Sequence, residues 1–74
     1  MKKRFAITKT VGNNVTVLKS FDKDCKEKAL AYGAEVAKSN TEGSICCVFA
    51  LFNDEGKMYP NVLRVFEVWM PKEK

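Results

Sequence analysis

Only one stretch of this chain carries a helical period, and it lies between two pairs of alternating segments. From Asp22 to Ser39, Cys25, Ala29, Tyr32, Gly33 and Val36 recur at helical spacing while Asp24, Glu27, Lys28, Glu35 and Lys38 take the other side. That pattern predicts an amphipathic helix. Ser20 or Asp22 is suited to cap its start, Lys38 falls in its last turn, and Asn40 with Gly43 is suited to end it. Small residues dominate the apolar stripe. Ala29, Gly33 and Ala37 allow close approach to a sheet, and Leu30, Tyr32 and Val36 supply the bulk.

The flanking segments read as strands. Arg4 to Val11 and Val15 to Phe21 are β-branched, aromatic or alternating, and Gly12-Asn13-Asn14 between them is hairpin chemistry. A two-residue loop on Gly12 and Asn13 puts Phe5, Ile7 and Val11 on the face opposite Val15 and Val17, whereas a three-residue loop with Asn14 left-handed aligns all five with Phe21 and is the preferred reading. Lys9 and Lys19 then sit at the edges of the apolar face and reach outward. After the helix, Ser44 to Phe52 reads as a strand, Asn53-Asp54-Glu55-Gly56 as a turn, and Val62 to Met70 as a returning strand. Pro60 cannot donate to a ladder, so Met58 to Asn61 reads as an edge, a bulge or a frayed start. Pro71 ends the strand and Lys72-Glu73-Lys74 forms a solvated tail.

The fold class is therefore α+β, a ββαββ chain forming a single domain over residues 1–74. Its elements span about residues 4–11, 15–21, 22–39, 44–52 and 62–70, with two antiparallel hairpins in one four-stranded sheet and the single helix on one face. Connection rules admit the order 2-1-4-3, with the first and last strands as a central parallel pair, and the fully antiparallel order 2-1-3-4. The first of these resembles the β-grasp folds of ubiquitin and the immunoglobulin-binding domain of protein G. That topology serves many functions. Neither family's motif is present in these residues, so the resemblance implies no binding site.

The second hairpin is apolar on both faces. Ile45, Cys47, Phe49 and Leu51 alternate with Cys46, Val48, Ala50 and Phe52, and Leu63, Val65 and Trp69 alternate with Val62, Phe66, Val68 and Met70. One helix covers one face, so the other calls for a second copy of the chain, a different protein, or long side chains of neighbouring strands. A homodimer formed through the sheet face away from the helix is the leading reading. Its candidate interaction residues are Phe49, Phe52, Arg64, Phe66 and Trp69, with Arg64 and Glu67 fixing register or marking a polar rim.

Composition narrows the chemistry. Seventy-four residues, 46% of them hydrophobic, support one core rather than two. The longest apolar run, Ile45 to Phe52, is far short of the roughly 20 residues of a membrane span. The basic start at Lys2, Lys3 and Arg4 is followed by Thr8-Lys9-Thr10 rather than a signal's apolar stretch, which points to the cytoplasm. Cys25, Cys46 and Cys47 agree: an odd number, two of them adjacent on a strand, does not make a disulfide framework.

Without histidine, the commonest general base and the commonest zinc ligand are missing. The cysteine spacing matches no metal site, four scattered glycines build no phosphate cradle, and the paired carboxylates Asp22 with Asp24 and Asp54 with Glu55 fall at a helix start and a turn. The sequence thus predicts no enzyme, cofactor or metal. The second functional reading is a nucleic-acid-binding module, from the +4 charge, the Lys2-Lys3-Arg4 cluster and the aromatic residues of the sheet. Eleven lysines against two arginines, and a helix that mixes both signs, weigh against it.

Overall fold

The computed structural model describes residues 2–72, so Glu73 and Lys74 of the expected tail lie outside the described residues. Along the chain come β1 (Lys2–Val11), β2 (Asn14–Asp22), α1 (Lys26–Lys38), β3 (Ser44–Phe52) and β4 (Met58–Trp69). The strands form one antiparallel sheet in the order β2-β1-β3-β4, with α1 on one face, an α+β fold.

The β-grasp-like order 2-1-4-3 is not the one found. Strand β3 takes the place beside β1, from Lys2↔Phe52 to Thr10↔Ser44. Its residues explain the choice: β3 has no charge and no proline and buries side chains on both faces, which suits a central position. Strand β4 carries Pro60, Arg64 and Glu67, which an edge tolerates and a centre does not.

The first hairpin also differs from expectation. Val11 pairs with Asn14, so the loop is the two-residue Gly12-Asn13. Gly12 has φ +60 and no non-glycine residue among the described residues has positive φ, the arrangement of a type II′ turn. This register sends Val15 and Val17 to the face opposite Phe5 and Ile7. An irregularity at Leu18 then returns Lys19 and Phe21 to the side of Ile7 and Phe5. A bulge, not a longer loop, reconciles the two halves of β2.

The helix begins at Lys26 rather than Asp22. Asp22 is still paired with Arg4 as the last residue of β2, and Cys25 is the N-cap, without a side-chain capping bond. At the other end Asn40 is buried, its Nδ2 donating to the Gly43 carbonyl at 3.0 Å and its own carbonyl accepting from the Lys72 N–H at 3.0 Å. The end of the strand layer is thereby tied to the end of the helix.

Ala29, Gly33 and Ala37 form the buried stripe of α1, facing Phe5, Ile7, Ile45 and Cys47. Gly33 sits against the Trp69 indole: a Cβ there would lie 2.5 Å from Cζ3 and 2.6 Å from Cη2. An added methyl at a helical glycine ordinarily gains about 0.8–1 kcal/mol. Overpacking of this kind costs about 1–3 kcal/mol, so Gly33→Ala should lose about 1 kcal/mol net and unfold at lower urea. An unchanged or higher midpoint would show that the indole moves aside freely.

Candidate interaction surface

Cross-strand register sorts the side chains into two faces, because directly paired residues point the same way. On the helix side the rows read Thr16, Lys9, Ile45, Trp69; then Lys19, Ile7, Cys47, Glu67; then Phe21, Phe5, Phe49, Arg64. On the opposite side they read Val17, Thr8, Cys46, Val68; then Ser20, Ala6, Val48, Val65; then Asp22, Arg4, Ala50, Val62.

Four of the five residues expected to form an interaction surface lie on the helix side. Phe49 and Phe66 stack around Phe5, with ring centroids 4.8 and 5.3 Å from it, and Trp69 lies beneath Gly33. Arg64 places its guanidinium 4.9 Å from the Phe66 ring, and Lys26 approaches the same ring at 4.8 Å. Glu67 pairs with Cys47 on this side as well. Phe52 alone is on the opposite face, and it is 1% exposed, packed with Ala6, Val48 and Ala50.

The cause is irregularity in β4. Phe66 is an extra residue between the pairs Cys47↔Glu67 and Val48↔Val65, and Leu63 is another between Phe49↔Arg64 and Ala50↔Val62. Strict alternation would split Val62, Val65 and Val68 between faces. The two bulges put all three on the face away from the helix, and both charges of the strand on the other.

That uncovered face has a sealed centre and an open rim. Ala6, Thr8, Val48, Ala50 and Phe52 are buried, with Cys46 and Met58 packed beside them. Val15, Val17, Val62, Val65 and Val68 are exposed, from 38% at Val62 to 57% at Val15. Val15, Val17, Gly56, Lys57, Met58 and Pro60 line one groove of about 470 Å³. Asn53 shapes the preceding turn, its Oδ1 accepting from the N–H groups of Glu55 and Lys57 at 2.9 Å. The side chains among these rows that carry charge, Arg4 and Asp22, sit at one end as an ion pair of 3.3 Å.

The three thiols are free and differ in setting. Cys25 and Cys46 are partly exposed, whereas Cys47 is buried under the helix. Burial lifts the Cys47 thiol above its ordinary value of 9.0, with Lys26 opposing and Glu67 adding to the rise. No group of three or more His, Cys, Asp or Glu side chains suited to a metal occurs among the described residues. No described helix is long and apolar enough to cross a membrane.

A pKa raised by folding means that the native thiol keeps its proton after the unfolded thiol has lost it. Its contribution to stability is intact below pH 9.0 and is lost as pH rises through the native value. Urea melts on either side of pH 9.0 should show an alkaline loss that Cys47→Ala diminishes; an undiminished loss would place its origin elsewhere. With a thiol reagent at neutral pH, Cys25 and Cys46 should react first and Cys47 only as the chain opens.

No family model, curated protein or solved structure matches this chain, so its functional reading rests on its own geometry.

Proposed function

We propose that this is a small, non-enzymatic protein-interaction domain of the cytoplasm that associates with a second copy of itself through the sheet face opposite the helix. The observation that carries the reading is the row of Val62, Val65 and Val68, gathered onto that face by two bulges and joined across the sheet by Val15 and Val17. Two-fold pairing suits a surface whose exposed rows are mostly valine, with an ion pair at one end and Lys57 in the groove, because apolar rows then meet apolar rows. Three free thiols suit a reducing compartment.

Dimensions set the expected strength. Four strands at about 4.8 Å spacing and seven residues at about 3.3 Å give roughly 400 Å² in projection. A pair of copies therefore falls at the small, transient end of specific interfaces, and association in the micromolar range or weaker is expected. The nucleic-acid reading gains nothing from the geometry: Phe49, Phe66 and Trp69 pack in the helix-side cluster and Phe52 is buried.

Light scattering coupled to size exclusion should show a mass rising toward that of a dimer at high micromolar concentration. Val65→Asp should weaken association by at least about tenfold, since it places an unpaired charge in an apolar interface. Val68→Thr should weaken it less, and both variants should keep the wild-type melting transition. A monomer at every concentration, or association insensitive to both substitutions, would overturn the proposal.

A further inference from the structure

We propose that the Lys2–Arg4 end of the sheet is a binding site for a small molecule bearing a phosphate group. A cleft of about 540 Å³ opens there, lined by Lys2, Lys3, Arg4, Asp22, Lys23 and Asp24, every one of them charged. Four cations against two carboxylates leave a local excess of two positive charges, which a phosphate monoester near pH 7 matches and a single carboxylate does not. An adjoining cavity of about 280 Å³ shares Lys2 and Arg4 and adds Ser20 and Asn53, neutral groups able to donate to an oxyanion, together with the Asp54 carboxylate, which opposes one, so the anion's place is the first cleft.

Arg4 is common to both spaces and is held in place. Its Nη1 lies 3.3 Å from the Asp22 carboxylate, and its side chain is 30% exposed. Its Nε is buried and is the only such side-chain nitrogen or oxygen without a hydrogen-bond partner among the described residues. That shielded Nε is not itself within a ligand's reach; what the cleft can use is the rest of the guanidinium, a planar fork of donors that fits phosphate oxygens. Lys2, Lys3 and Lys23 then act as mobile point charges around an oriented group. The gathering of cations is local: beyond Lys23 the helix start alternates Asp24, Lys26, Glu27 and Lys28, which does not continue as a track for a polymer. The cleft's size also falls within the range of small-ligand pockets, about 300–1,000 Å³.

The test is an amide chemical-shift titration of the full chain with inorganic phosphate, using chloride and acetate at matched ionic strength as references. Saturable shifts at Lys2 to Arg4, Ser20 and Asp22 to Asp24 are expected with phosphate alone. Arg4→Lys, which keeps the charge and loses the fork, should weaken binding by about tenfold. Lys23→Gln, at an exposed site beyond the strand, should weaken it without touching the ion pair. Shifts that fail to saturate, that chloride reproduces, or that both variants leave unchanged would overturn the assignment. So would a short single-stranded oligonucleotide that binds more tightly than phosphate and shifts lysines across the whole surface.

Discussion

A single helix of 13 residues, about 20 Å long, lies across one face of a four-stranded sheet, and its seat depends on the contact between Gly33 and Trp69. Small residues on the helix stripe bring its backbone close, so the bulk of the core comes from the sheet: Phe5, Ile7, Ile45, Phe49, Phe66 and Trp69. That division of labour leaves the sheet with two faces to satisfy and one helix to satisfy them. The helix face is finished by Lys19, Lys26 and Arg64, whose charged heads lie about 5 Å from the rings of Phe21, Tyr32 and Phe66.

The other face is built differently. Small central residues, Ala6 and Ala50, are roofed by Phe52, Met58 and Val48, so the middle of the face forms its own cluster. The valines of β2 and β4 stand on either side of it, exposed. Bulges produce this arrangement: the pairing skips Leu18, Leu63 and Phe66, which sets the facing of their neighbours, and shifts once more between Ala50 and Phe52. They also kink both edge strands, which interrupts the run of free backbone groups on each edge and disfavours edge-to-edge addition. The exposed valines of that face are the surface the proposed association would use.

Much of this architecture was legible in the residues. The helical period around Ala29, Gly33 and Ala37 named the face of α1 that is buried, and alternation through Ile45 to Phe52 divided β3 between the two faces as they are found. Alternation failed where a strand skips a residue. Val15 and Val17 looked like partners of Phe5 and Ile7, and Phe66 looked opposed to Trp69, because a period of two contains no mark of a bulge. The candidate surface is affected most: the size and chemistry of Phe49, Phe66, Trp69 and Arg64 suggest an interface, and the structure puts them with the helix. Pro60, Arg64 and Glu67 in β4 against an uncharged β3 were the available signal for strand order, and they favoured β4 as the edge.

The central claim is that the valine face meets its own copy, and isotope-filtered NOE spectroscopy on a mixture of labelled and unlabelled chains addresses it residue by residue. Intermolecular NOEs joining the methyl groups of Val15, Val17, Val62, Val65 and Val68 are the predicted result. Intermolecular NOEs confined to the helix side or to the strand edges, or none at concentrations where the chain is fully folded, would contradict it.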